Sequence, residues 1–193
     1  MRPRPIVPPI LAVLVAFAAA GARVAHAQEG QFLTEAEAPT AVFPQADRVE
    51  RRDVASTPAL REHMAGRLAG TTPSLWEATY PVFHVWHGAD ALGTAVIVEE
   101  IGKHRPITFV VGVRPDGAIA DVAVVAYREA YGGEIRMPRF LRQYRDRKPG
   151  EALQPYRDIT NIAGATLSVE AAGRAVKKAQ ALVACLAAGD AAP

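Results

Sequence analysis

Two hydroxyl side chains, Thr166 and Ser168, follow a Gly164-Ala165 turn at the start of the longest amphipathic pattern in the chain. The first N–H groups of a helix have no intrahelical acceptor, and the helix dipole favours negative charge beside them. A phosphate or carboxylate could therefore bind beside Gly164, Thr166 and Ser168. The same residues also suit a simple cap, in which a hydroxyl accepts a backbone N–H, and helix-start statistics alone favour that role.

A long C-terminal helix is predicted to position these hydroxyls. Apolar residues recur at helical spacing along one seam, made of Val169, Ala172, Val176, Ala179, Val183 and Leu186. Arg174, Lys177 and Lys178 fall off this seam. The single cysteine, Cys185, lies near the seam, so we expect a packed and inert thiol.

The preceding region has the period of two that is typical of strands. Four strands are predicted, at residues 80–87, 93–101, 107–114 and 118–127. Pro115-Asp116-Gly117 reads as a tight hairpin turn between the last two. A consecutive antiparallel meander is the simplest topology, and we expect an α+β fold in which this sheet packs against helices. His84 and His87 have no third ligand at zinc-like spacing, so no metal site is predicted.

A polar segment with paired glycines, Glu129-Ala130-Tyr131-Gly132-Gly133, follows the last strand. Flexible backbone at a strand end lets a planar ligand approach closely, although an ordinary turn has the same composition. Next comes a helical apolar stripe, made of Met137, Phe140, Leu141 and Tyr144. Arg136, Arg139, Arg142 and Arg145 form a basic edge beside it, which suits a solvated face, an acidic partner or a phosphate.

The N-terminus has the pattern of a secretory signal over residues 1–27. Arg2 and Arg4 precede an apolar run, and Ala25-His26-Ala27 is a small-x-small cleavage site, so cleavage is expected after Ala27. An uncleaved membrane anchor is the alternative, but the run is shorter than the roughly 18–20 residues that a span requires. Without the signal, 19 basic residues face 20 acidic ones, which gives no support for nucleic-acid binding.

The two polar stretches resemble one known family. Gly164-Ala165-Thr166-Leu167-Ser168 is similar to the S-G-A-T-[LI]-[ST] signature of the FMN-binding domain family, and residues 127–135 resemble its Y-x-E-x-Y-G-x-E-[IV] run. The similarity extends, with decreasing sharpness, over residues 93–178. The chain departs from the pattern at Thr160 and Ala163, where the family usually has Asp and Ser.

This resemblance implies a site and a domain division. A flavin transferase joins the FMN phosphate to the signature Thr in this family, so Thr166 would be the acceptor of a phosphoester. The implied FMN contacts are Gly164, Ala165, Thr166, Leu167 and Ser168 at the phosphate, with Glu129, Tyr131, Gly132 and Gly133 bordering the ring system. Residues 80–188 would form the FMN-binding α+β domain. From the residues themselves, with Pro39, Pro44 and Pro58 as breaks, we expect residues 28–79 to be a helical extension packed on this domain and residues 189–193 to be a disordered tail.

The resemblance also implies a function, namely a periplasmic flavin electron carrier. Its partners would be the flavin transferase and a redox protein such as a cytochrome or a membrane-bound reductase. No nucleophile–base pair, P-loop or dinucleotide fingerprint indicates an enzyme with its own substrate. Two alternatives remain open: an exported docking module without redox chemistry, and a reductase that binds FMN non-covalently.

Overall fold

A computed structural model describes residues 30–190 of the chain. The predicted signal peptide and the last three residues of the predicted tail lie outside this range. The elements are α1 Ala38–Val42, β1 Arg48–Ala55, α2 Pro58–Arg67, β2 Thr79–His87, β3 Asp90–Ile101, β4 Pro106–Val113, β5 Ile119–Tyr127, α3 Pro138–Leu141 and α4 Thr166–Ala188. Within the described range, no helix is both long enough and apolar enough to cross a membrane.

The five strands form one antiparallel sheet in the order β1-β2-β3-β4-β5. This confirms the predicted α+β class and the consecutive meander. The inner strands are apolar on both faces because helices cover both sides of the sheet. Val96 and Val98 of β3 pack with α2 and α4, whereas Ala95 and Ile97 point to the opposite face, where α1 lies.

The region before residue 80 differs from the expected run of helical pieces. It contains the short helices α1 and α2, and Thr57 Oγ1 caps α2 by accepting the Leu60 N–H at 3.2 Å. It also contains the edge strand β1, which pairs along its whole length with β2. All of β1 is exposed except Val54, so the strand lacks the alternating apolar residues that would reveal it in the sequence. Charged side chains suit such an edge because they discourage pairing with other chains.

The long helix α4 confirms the predicted seam, but the protein buries more of its surface than that seam. Lys178 is fully buried, and its ammonium lies 2.9 Å from Glu100 Oε1 and 3.1 Å from Glu77 Oε2. Arg174 binds the other Glu100 oxygen at 3.0 Å. These pairs form because α4 packs on β3 while the segment between α2 and β2 covers its flank. The network fixes the position of α4, and therefore of its N-terminus, on the sheet.

The predicted helix over residues 137–144 is formed by α3 and a following 3-10 turn, Arg142–Tyr144. Phe140, Leu141 and Tyr144 of its apolar stripe are buried in the main core, whereas Met137 remains partly exposed. The four arginines of the basic edge all lie at the surface.

Candidate functional site

The N-terminus of α4 is formed by the Gly164-Ala165 turn. Gly164 has a φ of +80°, which glycine adopts readily, and the Ala165 N–H closes the turn on the Ile162 carbonyl at 2.9 Å. Ala165 is the N-cap residue, Thr166 is the first residue of the helix, and no side chain caps it. The simple cap interpretation is therefore wrong for both Thr166 and Ser168. The first-turn N–H groups have no intrahelical acceptor, as expected at a helix start.

The Thr166 hydroxyl is held from outside the helix. Asn161 Nδ2 donates a hydrogen bond to Thr166 Oγ1 at 2.8 Å, and the Tyr156 hydroxyl lies 3.5 Å from the same oxygen. Asn161 Oδ1 is buried and has no hydrogen-bond partner among the described residues. Asn161 thus orients the hydroxyl and brings an unsatisfied polar atom to its side. The sequence alone does not single out Asn161 as a site residue, because an Asn in a loop carries no periodic signal.

The two family-like stretches meet at Gly132. This residue has a φ of +84°, and a Cβ atom added to it would lie 3.1 Å from Ala165 Cβ and 3.4 Å from Ser168 Oγ. The Tyr127 hydroxyl donates to the Tyr131 carbonyl and also lies 3.2 Å from Ser168 Oγ. Burial raises the pKa of Tyr127, so this hydroxyl stays protonated and can donate. The Ser168 hydroxyl therefore links α4 to the end of β5 through its contact with the Tyr127 hydroxyl.

The other predicted residues of the 129–133 segment lie apart from this contact. The Glu129 carboxylate accepts the N–H groups of His104 at 2.5 Å and Arg105 at 2.9 Å, in the turn between β3 and β4. Partial burial works to raise the pKa of Glu129, but these N–H groups outweigh it and lower the pKa. Tyr131 is 87 % exposed, and Gly133 begins a 3-10 turn. Gly132 is thus the predicted residue whose packing against Ala165 links this segment to the turn that carries Thr166.

Of the predicted phosphate contacts at the turn, Ala165 and Ser168 are buried, and Gly164 and Leu167 are exposed. Thr166 is half-buried and lines a cleft of about 410 Å³. This volume falls in the range of roughly 300–1,000 Å³ that is usual for small-molecule sites. One wall of the Thr166 cleft is α4 itself, where the lining residues are Thr166, Glu170, Gly173, Arg174 and Lys177. The other wall is formed by residues 152–156 and by Thr71 and Thr72.

The cleft was not foreseen from the sequence. Its outer wall comes from two loops far apart in the chain, and neither loop has a periodic pattern. Gly173 permits the loop that contains Leu153 to approach α4 closely, since an added Cβ at Gly173 would lie 2.8 Å from the Leu153 carbonyl oxygen. Within residues 30–190, no group of three metal-ligating side chains occurs.

The fold and the site together define an α+β domain in which an uncapped helix start presents a threonine hydroxyl to a cofactor-sized cleft. Residues 102–181 match the family model of the FMN-binding domain. The match spans β4, β5, the 129–133 segment and most of α4, and it is consistent with the FMN-binding domain family. A comparison with curated proteins finds no significant match.

The residues present fit FMN. The free N–H groups and the dipole of α4 suit a phosphate beside the Thr166 hydroxyl. The cleft that opens there has the volume for the rest of a flavin nucleotide. Beside the Thr166 hydroxyl, the buried Asn161 Oδ1 has no hydrogen-bond partner among the described residues, as expected of a polar atom next to a ligand-binding site.

Proposed function

We propose that this protein is an exported flavoprotein that carries electrons through one FMN held at the start of α4. The observation that carries the proposal is the position of Thr166 in the matched domain: its hydroxyl lies at an uncapped helix N-terminus, and Thr166 lines the cleft. Bound FMN would supply the redox chemistry by passing one or two electrons. The protein would hold the flavin in place and set its electrostatic surroundings.

We further propose that Thr166 is joined to FMN as a phosphoester. A flavin transferase would use FAD, so that the threonine oxygen replaces AMP on the FMN phosphate and the hydroxyl proton is released. Asn161 supports this role because it fixes the acceptor oxygen at 2.8 Å. Thr160 and Ala163, the two departures from the family pattern, are exposed, and the Thr160 N–H binds Gln143 Oε1 instead. Neither departure removes a contact to the Thr166 hydroxyl.

A covalent tether suits a periplasmic protein, because FMN that dissociates outside the cytoplasm diffuses away. The redox partners would then be other exported or membrane-bound proteins, such as a cytochrome or a reductase. Export, periplasmic location and these partners all belong to the proposal and follow from the N-terminal pattern and the family resemblance.

The test is to export the protein in a host with an active flavin transferase and to measure flavin fluorescence in a denaturing gel. We expect a fluorescent band that is lost in Thr166→Ala and kept in Thr160→Ala, a matched control six residues away. A colourless protein whose intact mass equals that of residues 28–193 would contradict the covalent claim. Flavin that is present but released by denaturation would support the non-covalent alternative.

A further inference from the structure

Lys177, which lines the Thr166 cleft, is a buried cation with no carboxylate at ion-pair distance among the described residues. It is 8 % exposed, and its ammonium donates to Thr71 Oγ1 at 2.9 Å. Among the ion pairs of residues 30–190, Arg174 and Lys178 both pair with Glu100, whereas Lys177 pairs with none. Lys177 therefore differs from both neighbouring cations on α4.

Such a group is costly for the folded protein. Removing an ammonium from water is unfavourable unless a charge or several hydrogen bonds replace the lost hydration. Burial accordingly lowers the pKa of Lys177, and the attraction of the Asp158 carboxylate offsets this only in part. The Thr71 hydroxyl satisfies only one of the three ammonium donors. Because Lys177 lines the Thr166 cleft, a ligand that carries negative charge at that point could accept from the remaining donors.

The cleft connects this cation to Thr166. Both residues line it, and they are separated by eleven positions of one helix, which at 1.5 Å per residue is about 16 Å. A ligand that begins at Thr166 and lies along α4 would present its far end to Lys177. None of the residues 129–133 lines this cleft, and Gly132 packs near Ala165 and Ser168, which do not line it either.

We propose that Lys177 binds the pyrimidine end of the flavin ring and thereby favours the reduced cofactor. The inference rests on the proposed function, with the phosphate at Thr166. Reduction by two electrons and one proton gives a flavin hydroquinone anion, whose charge lies on the pyrimidine ring. An ammonium beside that ring stabilises the reduced form more than the neutral oxidised form. The cleft, rather than the exposed surface at Tyr131, then receives the ring.

The experiment measures the midpoint potential of flavin-loaded protein by titration with a chemical reductant and a reference dye. Lys177→Gln should lower the preference for reduced over oxidised flavin about tenfold, which for a two-electron couple corresponds to a decrease of about 30 mV. Lys177→Arg should restore most of the potential. Lys148→Gln removes the same charge from an exposed position outside the cleft, and it should leave the potential unchanged.

A second pair of variants tests the same inference if Lys177→Gln fails to fold. Thr72 is an exposed residue of the same cleft, so Thr72→Glu should lower the potential while Thr72→Gln should not. Tyr131→Ala should have no effect. The inference would be overturned if neither Lys177→Gln nor Thr72→Glu changes the midpoint potential of the flavin-loaded protein. It would also be overturned if Tyr131→Ala changes that potential instead. If the wild-type protein takes up no FMN at all, the proposed function itself fails, which is a distinguishable result.

Discussion

Gly132 joins the two halves of the candidate site, and replacing it with alanine should affect both stability and flavin binding. An alanine there has two costs. A φ of +84° places an L-residue in the left-handed region, which costs about 1–2 kcal/mol. The new Cβ would also lie 2.8 Å from Tyr127 Oη and 3.1 Å from Ala165 Cβ, closer than such atoms pack.

The crowding cannot be relieved by a simple side-chain rotation. The Tyr127 hydroxyl is held by the Tyr131 carbonyl and by Ser168, and its ring belongs to the main core. Overpacking of this kind costs about 1–3 kcal/mol. The sum of strain and overpacking is about 2–5 kcal/mol, a large part of the roughly 5–15 kcal/mol that stabilises a typical protein.

Two other glycines serve as controls that separate strain from crowding. Gly164 and Gly150 have φ values of +80° and +91°, and an added Cβ at either would meet no atom within 4 Å. Gly164→Ala and Gly150→Ala should therefore cost only the conformational term, about 1–2 kcal/mol. Urea unfolding at neutral pH measures all three changes in the free energy of unfolding.

FMN uptake should distinguish Gly132→Ala from Gly150→Ala further. Because Ala165 is the N-cap of α4, pushing it away from Gly132 moves the first turn and Thr166 with it. Gly132→Ala should weaken FMN uptake, whereas Gly150→Ala, outside the site, should not. The reasoning is refuted if Gly132→Ala is no more destabilising than Gly150→Ala and retains full flavin loading.

Two further predictions concern the charged groups that fix the site. Glu100→Gln should lower the free energy of unfolding by up to about 3–5 kcal/mol, because, within residues 30–190, Glu77 is then the one carboxylate left beside the buried Lys178 and Arg174 loses its 3.0 Å partner. Denaturant unfolding checks this. A Glu100→Gln variant as stable as the wild-type protein would contradict it. The lowered pKa of Glu129 means that its charged form stabilises the folded state above the ordinary carboxyl pKa, and this contribution is lost as the pH falls through the lower folded value. Glu129→Gln should flatten that acid-side loss in a series of melting temperatures, and an unchanged pH profile would count against the role assigned to the His104 and Arg105 N–H groups.

The sequence predicts the sheet well because the inner strands are long and apolar. Residues 93–101 and 107–114 carry continuous β-branched runs, and they fall within one or a few residues of β3 and β4. The edge strand β1 escapes prediction for the opposite reason: backbone pairing with β2 holds it in place, while its side chains remain in solvent. Periodicity reports burial, so it cannot detect a strand that buries almost nothing.

The candidate site divides in the same way between local and long-range information. The helix start at Thr166 is a local feature, and the sequence predicts it from the Gly-Ala turn and the seam that follows. The family resemblance places residues 129–133 and 164–168 around one flavin, because nothing local joins residues more than 30 positions apart. The direct contact of Gly132 with Ala165 is seen only in the structure. The roles of Asn161 and Lys177 can be seen only in the three-dimensional structure. An asparagine in a loop and a lysine off a helical seam are ordinary surface features until packing places one against a hydroxyl and the other in a cleft. The unpaired state of Lys177 is a property of its surroundings, and it becomes visible only beside the paired Lys178 that follows it.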